Sequence, residues 1–267
     1  MKLLPDTQKI IEKFIQTRVK EAGVTGVVIG LSGGVDSATT LALAVSALGS
    51  ENVTGLIMPF IYTESVELAS GHAESLKVEI KELNISSVVE SFKASTTSFS
   101  SKASEGNLHS RVRMTFLYGE AFHSGSLVMG TSNKSELLVG YYTKWGDGAS
   151  DFLPMGDLYK SQVYLLAEDL GIPKRILDRK PTAELWEGQT DEDDLGIDYA
   201  TLDQILWGLE RQLSFKRISS KIGIDPESVE RIGNLIKLSI HKRVFPPVCK
   251  IGLRTVGLDW RETIGSR

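Results

Sequence analysis

Apolar and polar positions along this chain follow two periods, and the chain switches between them repeatedly. Residues 7–22 place Ile10, Ile11, Phe14, Ile15 and Val19 at helical spacing, which predicts an opening amphipathic helix. Residues 24–29, 53–60 and 77–85 are short apolar or β-branched runs and predict strands. Residues 38–48 and 64–76, lying between those runs, and 108–123, after them, read as helices, and the run 126–130 as a further strand. Strand–helix alternation with nearly continuous apolar strands predicts an α/β fold, a parallel doubly wound sheet covered by helices on both faces. Ligands of such sheets lie beyond the carboxyl ends of the strands, so the segments after residues 29 and 130 should face one crevice.

The rest of the chain reads differently. The serine-rich stretch 95–104 predicts a loop or a frayed helix end. The acidic run 188–196, Gly-Gln-Thr-Asp-Glu-Asp-Asp-Leu-Gly, predicts a mobile solvated loop. A helical pattern runs from residue 197 to 209 and again from 226 to 243, where Asp225 before Pro226 and Glu227 forms a sound helix start. No repeat or flexible linker interrupts it. Residues 1–267 therefore read as a single domain with a helical C-terminal appendage.

Bulk properties narrow the function without naming it. A net charge of −4 argues against a nucleic-acid partner, so an anionic substrate needs local positive groups. The cluster His241-Lys242-Arg243 is such a group, or equally a solvated helix terminus. The single cysteine, Cys249, excludes an intramolecular disulfide, and the four histidines lack zinc-ligand spacing. No apolar run reaches the roughly 18 residues of a membrane span and the N-terminus has no signal core, so a soluble cytoplasmic protein without a membrane partner is expected.

The chemistry starts at Gly30-Leu31-Ser32-Gly33-Gly34-Val35-Asp36-Ser37, a strand running through small residues into a helix. Such a turn aims backbone N–H groups and a helix dipole at a bound anion, and glycine permits turn conformations and close approach. A lone turn of this kind is also an ordinary helix cap. It is not a Walker A loop. Asp36 beside an anion site makes sense if a cation such as Mg²⁺ lies between them. Farther on, Arg111 and Arg113 lie two apart on a helix and point in different directions, so either one is free for substrate while the other braces the fold, or the two are an ordinary solvent-facing basic pair. The run 130–151 contains Gly130-Thr131-Ser132-Asn133 opening a helix, with Glu136 in its first turn as both cap and second metal ligand. Lys160 supplies a point charge near a helix start, and Thr182 a hydroxyl in a Pro-bounded turn.

The Ser-Gly-Gly-Val-Asp-Ser loop resembles the pyrophosphate loop of the ATP pyrophosphatases. Together with the 130–151 block, Lys180-Pro-Thr-Ala-Glu184 and the acidic run, the chain resembles ammonia-dependent NAD⁺ synthetase from about residue 24 to 199, and again at His241-Lys242. The resemblance implies a three-layer sandwich of the adenine nucleotide alpha hydrolase type. It implies ATP held by Gly30, Leu31, Ser32, Gly33, Gly34, Val35, Asp36, Ser37, Thr131, Lys160 and Thr182. It implies Mg²⁺ on Asp36 and Glu136, and deamido-NAD⁺ on Arg111, Lys144, Asp151, His241 and Lys242 of a homodimer. Asp36, Lys160 and Glu136 would act electrostatically, and Asp147 or Asp151 would take the proton from ammonium. The serine-rich stretch and the acidic run would be mobile without ligand, and one or both would close over an acyl-adenylate. Only 31 residues precede the Ser32 loop, too few for a glutaminase domain, so free ammonia is the expected donor. The competing readings are another ATP pyrophosphatase, amidating a purine nucleotide or thiolating tRNA, and a non-catalytic nucleotide-binding protein.

Overall fold

The computed structural model describes residues 2–182, 184–186 and 188–256. Helix α1 (Thr7–Ala22) leads into β1 (Val27–Gly30), α2 (Val35–Leu48), β2 (Val53–Ile57), α3 (Glu64–Ser75) and β3 (Glu79–Glu82). Then come α4 (Ser86–Ser95), α5 (Lys102–Ser124), β4 (Leu127–Val128), α6 (Lys134–Val139), α7 (Lys160–Asp169) and α8 (Lys174–Leu177). The chain continues through α9 (Asp191–Leu195), α10 (Tyr199–Glu210), α11 (Phe215–Ile222), α12 (Pro226–Leu238) and α13 (Ile240–Arg243).

All four strands are parallel, in the order β3-β2-β1-β4, with Val27 opposite both Val53 and Leu127. Successive strand side chains face opposite sides, so Val27 and Ile29 join the core under α1, α2, α7 and α8, while Val28 joins the core under α4 and α5. The result is the expected helix–sheet–helix sandwich. After β1 the chain steps to β2 and β3 on one side, then returns to β4 on the other. That reversal opens the crevice of a topological switch point at the carboxyl ends of β1 and β4. A third core, built on Leu195, Leu202, Ile205, Leu206, Ile218, Val229 and Ile232, holds the C-terminal helices together.

Several boundaries depart from the periodicity. Helix α2 begins at Val35 rather than residue 38, because the glycine turn is itself the start of the helix. Helix α5 begins at Lys102, where Ser101 and Ser104 form a reciprocal capping box, so much of the serine-rich stretch is cap rather than loop. The short helices α4 and α11 escape the sequence pattern. Ile10 is exposed despite its spacing, and α1 packs through Ile11, Ile15 and Val19. The acidic run is not a solvated loop: Thr190 caps α9, and Asp191 is 5% exposed.

Candidate active site

Two hydroxyls tie the loop after β1 to itself. The Ser32 N–H donates to Ser37 Oγ at 3.2 Å, Ser37 Oγ–H donates to the Gly34 carbonyl at 3.0 Å, and the Gly34 N–H donates to Ser32 Oγ at 3.3 Å. Gly33 has φ +75°, and a Cβ there would lie 2.3 Å from the Ser65 carbonyl oxygen, so this position needs glycine twice over. Gly34 is extended (φ −89°, ψ 165°) and caps α2 without a side chain, which leaves the first-turn amides and the dipole facing the crevice. Leu31 and Val35 anchor the loop in the core, and Asp36 projects from the first turn of α2.

Four side chains from three elements close a ring over this loop. Lys160, first residue of α7 and 2% exposed, donates its Nζ to Asp36 Oδ2 and, at 3.1 Å, to Glu136 Oε1. Asn133 caps α6, its Oδ1 accepting the Glu136 N–H at 3.1 Å, and its Nδ2 donates to Asp36 Oδ1 at 2.9 Å. Tyr199 on α10 covers the ring. Its hydroxyl donates to Glu136 at 3.4 Å and to Asp191 at 3.1 Å, and its ring lies 4.9 Å from Lys160 Nζ. Asp191 also accepts from the Tyr141 hydroxyl at 3.2 Å, which is why this acid is buried rather than solvated.

Electrostatically the ring holds more acid than base. Burial pushes the Glu136 carboxyl up to about 7, against the pull of Lys160 and with the push of Asp36 and Asp191. Burial opposes the charge on Lys160 as well, but Asp36 and Glu136 outweigh it and raise the ammonium above the usual lysine value. Thr131 sits half-buried just past β4. The Thr182 Oγ1 accepts the Glu184 N–H at 3.1 Å, and Glu184 in turn accepts from Ser65 and Arg179, which fastens this segment beside Gly33.

A second cluster lies along α5 and α13. Lys144 Nζ donates to the His241 carbonyl at 2.7 Å, Arg111 donates to the Lys144 carbonyl at 3.3 Å, and Lys242 Nζ donates to the Gly140 and Tyr142 carbonyls at 2.6 Å each. The structure thus brings Arg111, Lys144, His241 and Lys242 together. Arg113 points the other way and grips the Met58 carbonyl at 2.9 Å after β2, so of the two arginines it is the brace. Asp151 is not joined to these cations: its carboxylate accepts the Val128 N–H at 2.7 Å, extending the edge of β4. Asp147 accepts the Thr143 N–H at 2.9 Å. Desolvation raises its carboxyl, against the hydrogen bonds from Thr143 and Ser110.

Sequence reasoning missed Asn133, Asp191 and Tyr199. Asn133 reads as an ordinary cap, and Asp191 is hidden in an acid run whose other members are partly or fully solvated. Tyr199 has the spacing of a core residue, which it also is.

Comparison with known proteins places the whole chain. The NAD synthase family model matches residues 7–246. The chain is 49% identical to the NH(3)-dependent NAD(+) synthetase of Thermococcus kodakarensis over 237 residues, 88% of this chain and 93% of that one. The solved structure of NMN synthetase from Francisella tularensis superposes with a TM-score of 0.82 at 35% identity, covering 92% of this chain and 98% of that one. The NH3-dependent NAD synthetase of Campylobacter jejuni subsp. jejuni, in complex with nitrate, gives 0.79 at 32% identity with the same coverage. A family model that matches residues 7–246 and a relative 49% identical over 88% of the chain mean that the chain belongs to the NAD synthase family.

Proposed function

We propose that this protein joins ammonia to the nicotinate carboxylate of deamido-NAD⁺ at the expense of ATP, giving NAD⁺, AMP and pyrophosphate. The observation that carries the reading is the Asp36–Lys160–Glu136 ring beside the uncapped N-terminus of α2. That arrangement suits a polyphosphate with a cation, and a C–N ligase is what the relatives are. In the proposed reaction the nicotinate carboxylate attacks the α phosphorus and pyrophosphate leaves; ammonia then attacks the acyl carbon and AMP leaves. Both steps concentrate charge on oxygen, and the groups suited to receive it are the α2 amides, the Ser32 hydroxyl and Lys160.

The residues present also fit Mg²⁺. Asp36 and Glu136 are oxygen donors from two elements already converging on one cation, and their surplus negative charge favours another. No group of three or more His, Cys, Asp or Glu among the described residues is arranged to hold a metal, so substrate phosphates would complete the coordination, the usual habit of Mg²⁺. Bound there, it would add positive charge against the phosphate oxygens. Gly30 through Ser37 with Thr131 and Thr182 would line the ATP half. Arg111, Lys144, His241 and Lys242 would hold the dinucleotide, with Asp151 at the β4 edge beyond them. Asp147 is the better placed of the two acids to accept the ammonium proton, since its surroundings raise its basicity. An unchanged pH–rate profile in Asp147→Asn would remove it from that role.

Residues 1–267 are read as one synthetase unit acting in the cytoplasm as a homodimer. Among the described residues no helix is long and apolar enough to cross a membrane. The test is an assay with ATP, Mg²⁺, ammonium and deamido-NAD⁺, read for NAD⁺, AMP and pyrophosphate. Because one similar structure is an NMN synthetase, nicotinate mononucleotide is run in parallel. Formation of ADP, or turnover of the mononucleotide alone, would overturn the reading.

A further inference from the structure

Asn133 is completely buried, and its two amide atoms do two different jobs. Its Oδ1 accepts the Glu136 N–H at 3.1 Å and its own N–H reaches Glu136 Oε2 at 3.4 Å, the reciprocal pattern of a helix cap. Its Nδ2 donates to Asp36 Oδ1 at 2.9 Å, across the crevice on another helix. These partners leave one amide orientation, since an N–H must meet oxygen and a carboxylate must meet a donor. Capping alone does not explain the residue, because Ser, Asp and Asn cap helices about equally well. Asp carries no donor, Ser carries both functions on one hydroxyl oxygen, and only Asn sets an acceptor toward α6 and a donor toward Asp36 on two separate atoms. Asp would cap equally well but would set another negative charge against Asp36 and Glu136. The identity of residue 133 is therefore decided by α2, not by the helix it caps.

We propose that Asn133 is a positioning residue that holds Asp36 in register with Glu136, so that both carboxylates converge on the point now taken by Lys160 Nζ. Asp36 Oδ1 is restrained by Asn133 and Oδ2 by Lys160, while Glu136 is restrained through the same Asn133 cap. One side chain thus couples the loop after β1 to the segment after β4, the two strands flanking the switch point. The inference rests on the proposed function only in that Mg·ATP is the ligand of this half of the site.

The test compares Asn133→Ser, which keeps a cap and loses the amide donor, with the wild type. The readouts are the rise in melting temperature produced by Mg·ATP and by deamido-NAD⁺ separately, together with kcat and both KM values. Partners that orient a ligating group typically change affinity or activity about 10- to 100-fold when removed. Asn133→Ser is expected to lose the Mg·ATP-induced rise and about 10- to 100-fold in kcat/KM for ATP. Its deamido-NAD⁺-induced rise and dinucleotide KM should stay within about twofold of wild type, because the α5–α13 cluster is not touched. A purely structural role would weaken both ligands together, and that result overturns the proposal, as does wild-type behaviour toward Mg·ATP. If Asn133→Ser does not fold, the isosteric Asn133→Asp, which also caps, takes its place with the same two outcomes. A wild-type protein that responds to Mg·ATP but makes no NAD⁺ would refute the proposed reaction and leave this comparison intact.

Discussion

The two halves of the crevice hold their charges in opposite ways. Around β1 and α6, charged side chains are buried or half-buried and bonded to one another: Lys160 to Asp36 and Glu136, Asp36 to Asn133. Along α5 and α13, cations rest on backbone carbonyls, and among the described residues Arg111, Lys144 and Lys242 form none of the ion pairs seen elsewhere. The first arrangement is preorganised and holds more acid than base, so it is shaped to receive a further cation. The second keeps unspent positive potential, suited to drawing a dianionic dinucleotide to an acidic protein.

Lys160 and Glu136 give the most severe test of this contrast. Lys160→Ala should lower turnover about 100- to 1,000-fold. It should also lower the melting temperature, since it strands two partly buried carboxylates. Glu136→Gln should lose a comparable share of turnover yet melt no lower than wild type at pH 7.5, because burial already disfavours its charge. Thermal melts and initial rates check both, and a Lys160→Ala protein as stable as wild type would break the contrast.

Next in size is a pH effect on the helix that joins the two halves. His109, on the buried side of α5, stacks on Phe60 with centroids 4.3 Å apart, and neither ring nitrogen has a hydrogen-bond partner. Burial, helped by Arg113, lowers its pKa to about 4 from 6.5. The unfolded chain therefore takes up this proton first. Its contribution is intact above pH 6.5 and is lost as pH falls toward about 4, reaching about 2 kcal/mol by pH 5. Urea unfolding at pH 7 and pH 5 should show that loss in wild type and not in His109→Phe.

The smallest effect belongs to the exposed cluster. Arg111→Ala or Lys144→Ala should raise the dinucleotide KM about tenfold, equivalent to about 1.4 kcal/mol. The KM for ATP should not change, and stability should stay within about 0.5 kcal/mol. The KM increase should shrink at high salt, where surface charges are screened.

Much of the layout is legible in the residue pattern. The runs behind β1, β2 and β4 are continuous and apolar because those segments are covered on both faces, and Ile11, Ile15 and Val19 mark α1 for the same reason. The edge strand β3 is read less well, because its Glu-Ile-Lys-Glu is partly exposed and carries little periodicity. At the site, Asp36, Glu136 and Lys160 are legible because an acid beside an anion loop and a lysine at a helix start are conspicuous. Asp191 is not: Tyr141 and Tyr199, 50 and 8 residues away, are what make it a buried acid.

The sequence by itself determined the alternation of layers, the glycine turn and the first-turn acid, since each depends on residues within a few positions of one another. Only the tertiary structure decided which polar groups meet. Asn133 reaches Asp36 across 97 residues and Lys160 reaches it across 124, so their pairing is set by strand order. The same holds for the choice between Arg111 and Arg113, which helical spacing leaves open and packing against Met58 resolves. Local patterns encode which face a residue takes; only the closed sheet, with β1 between β2 and β4, brings those faces to one crevice.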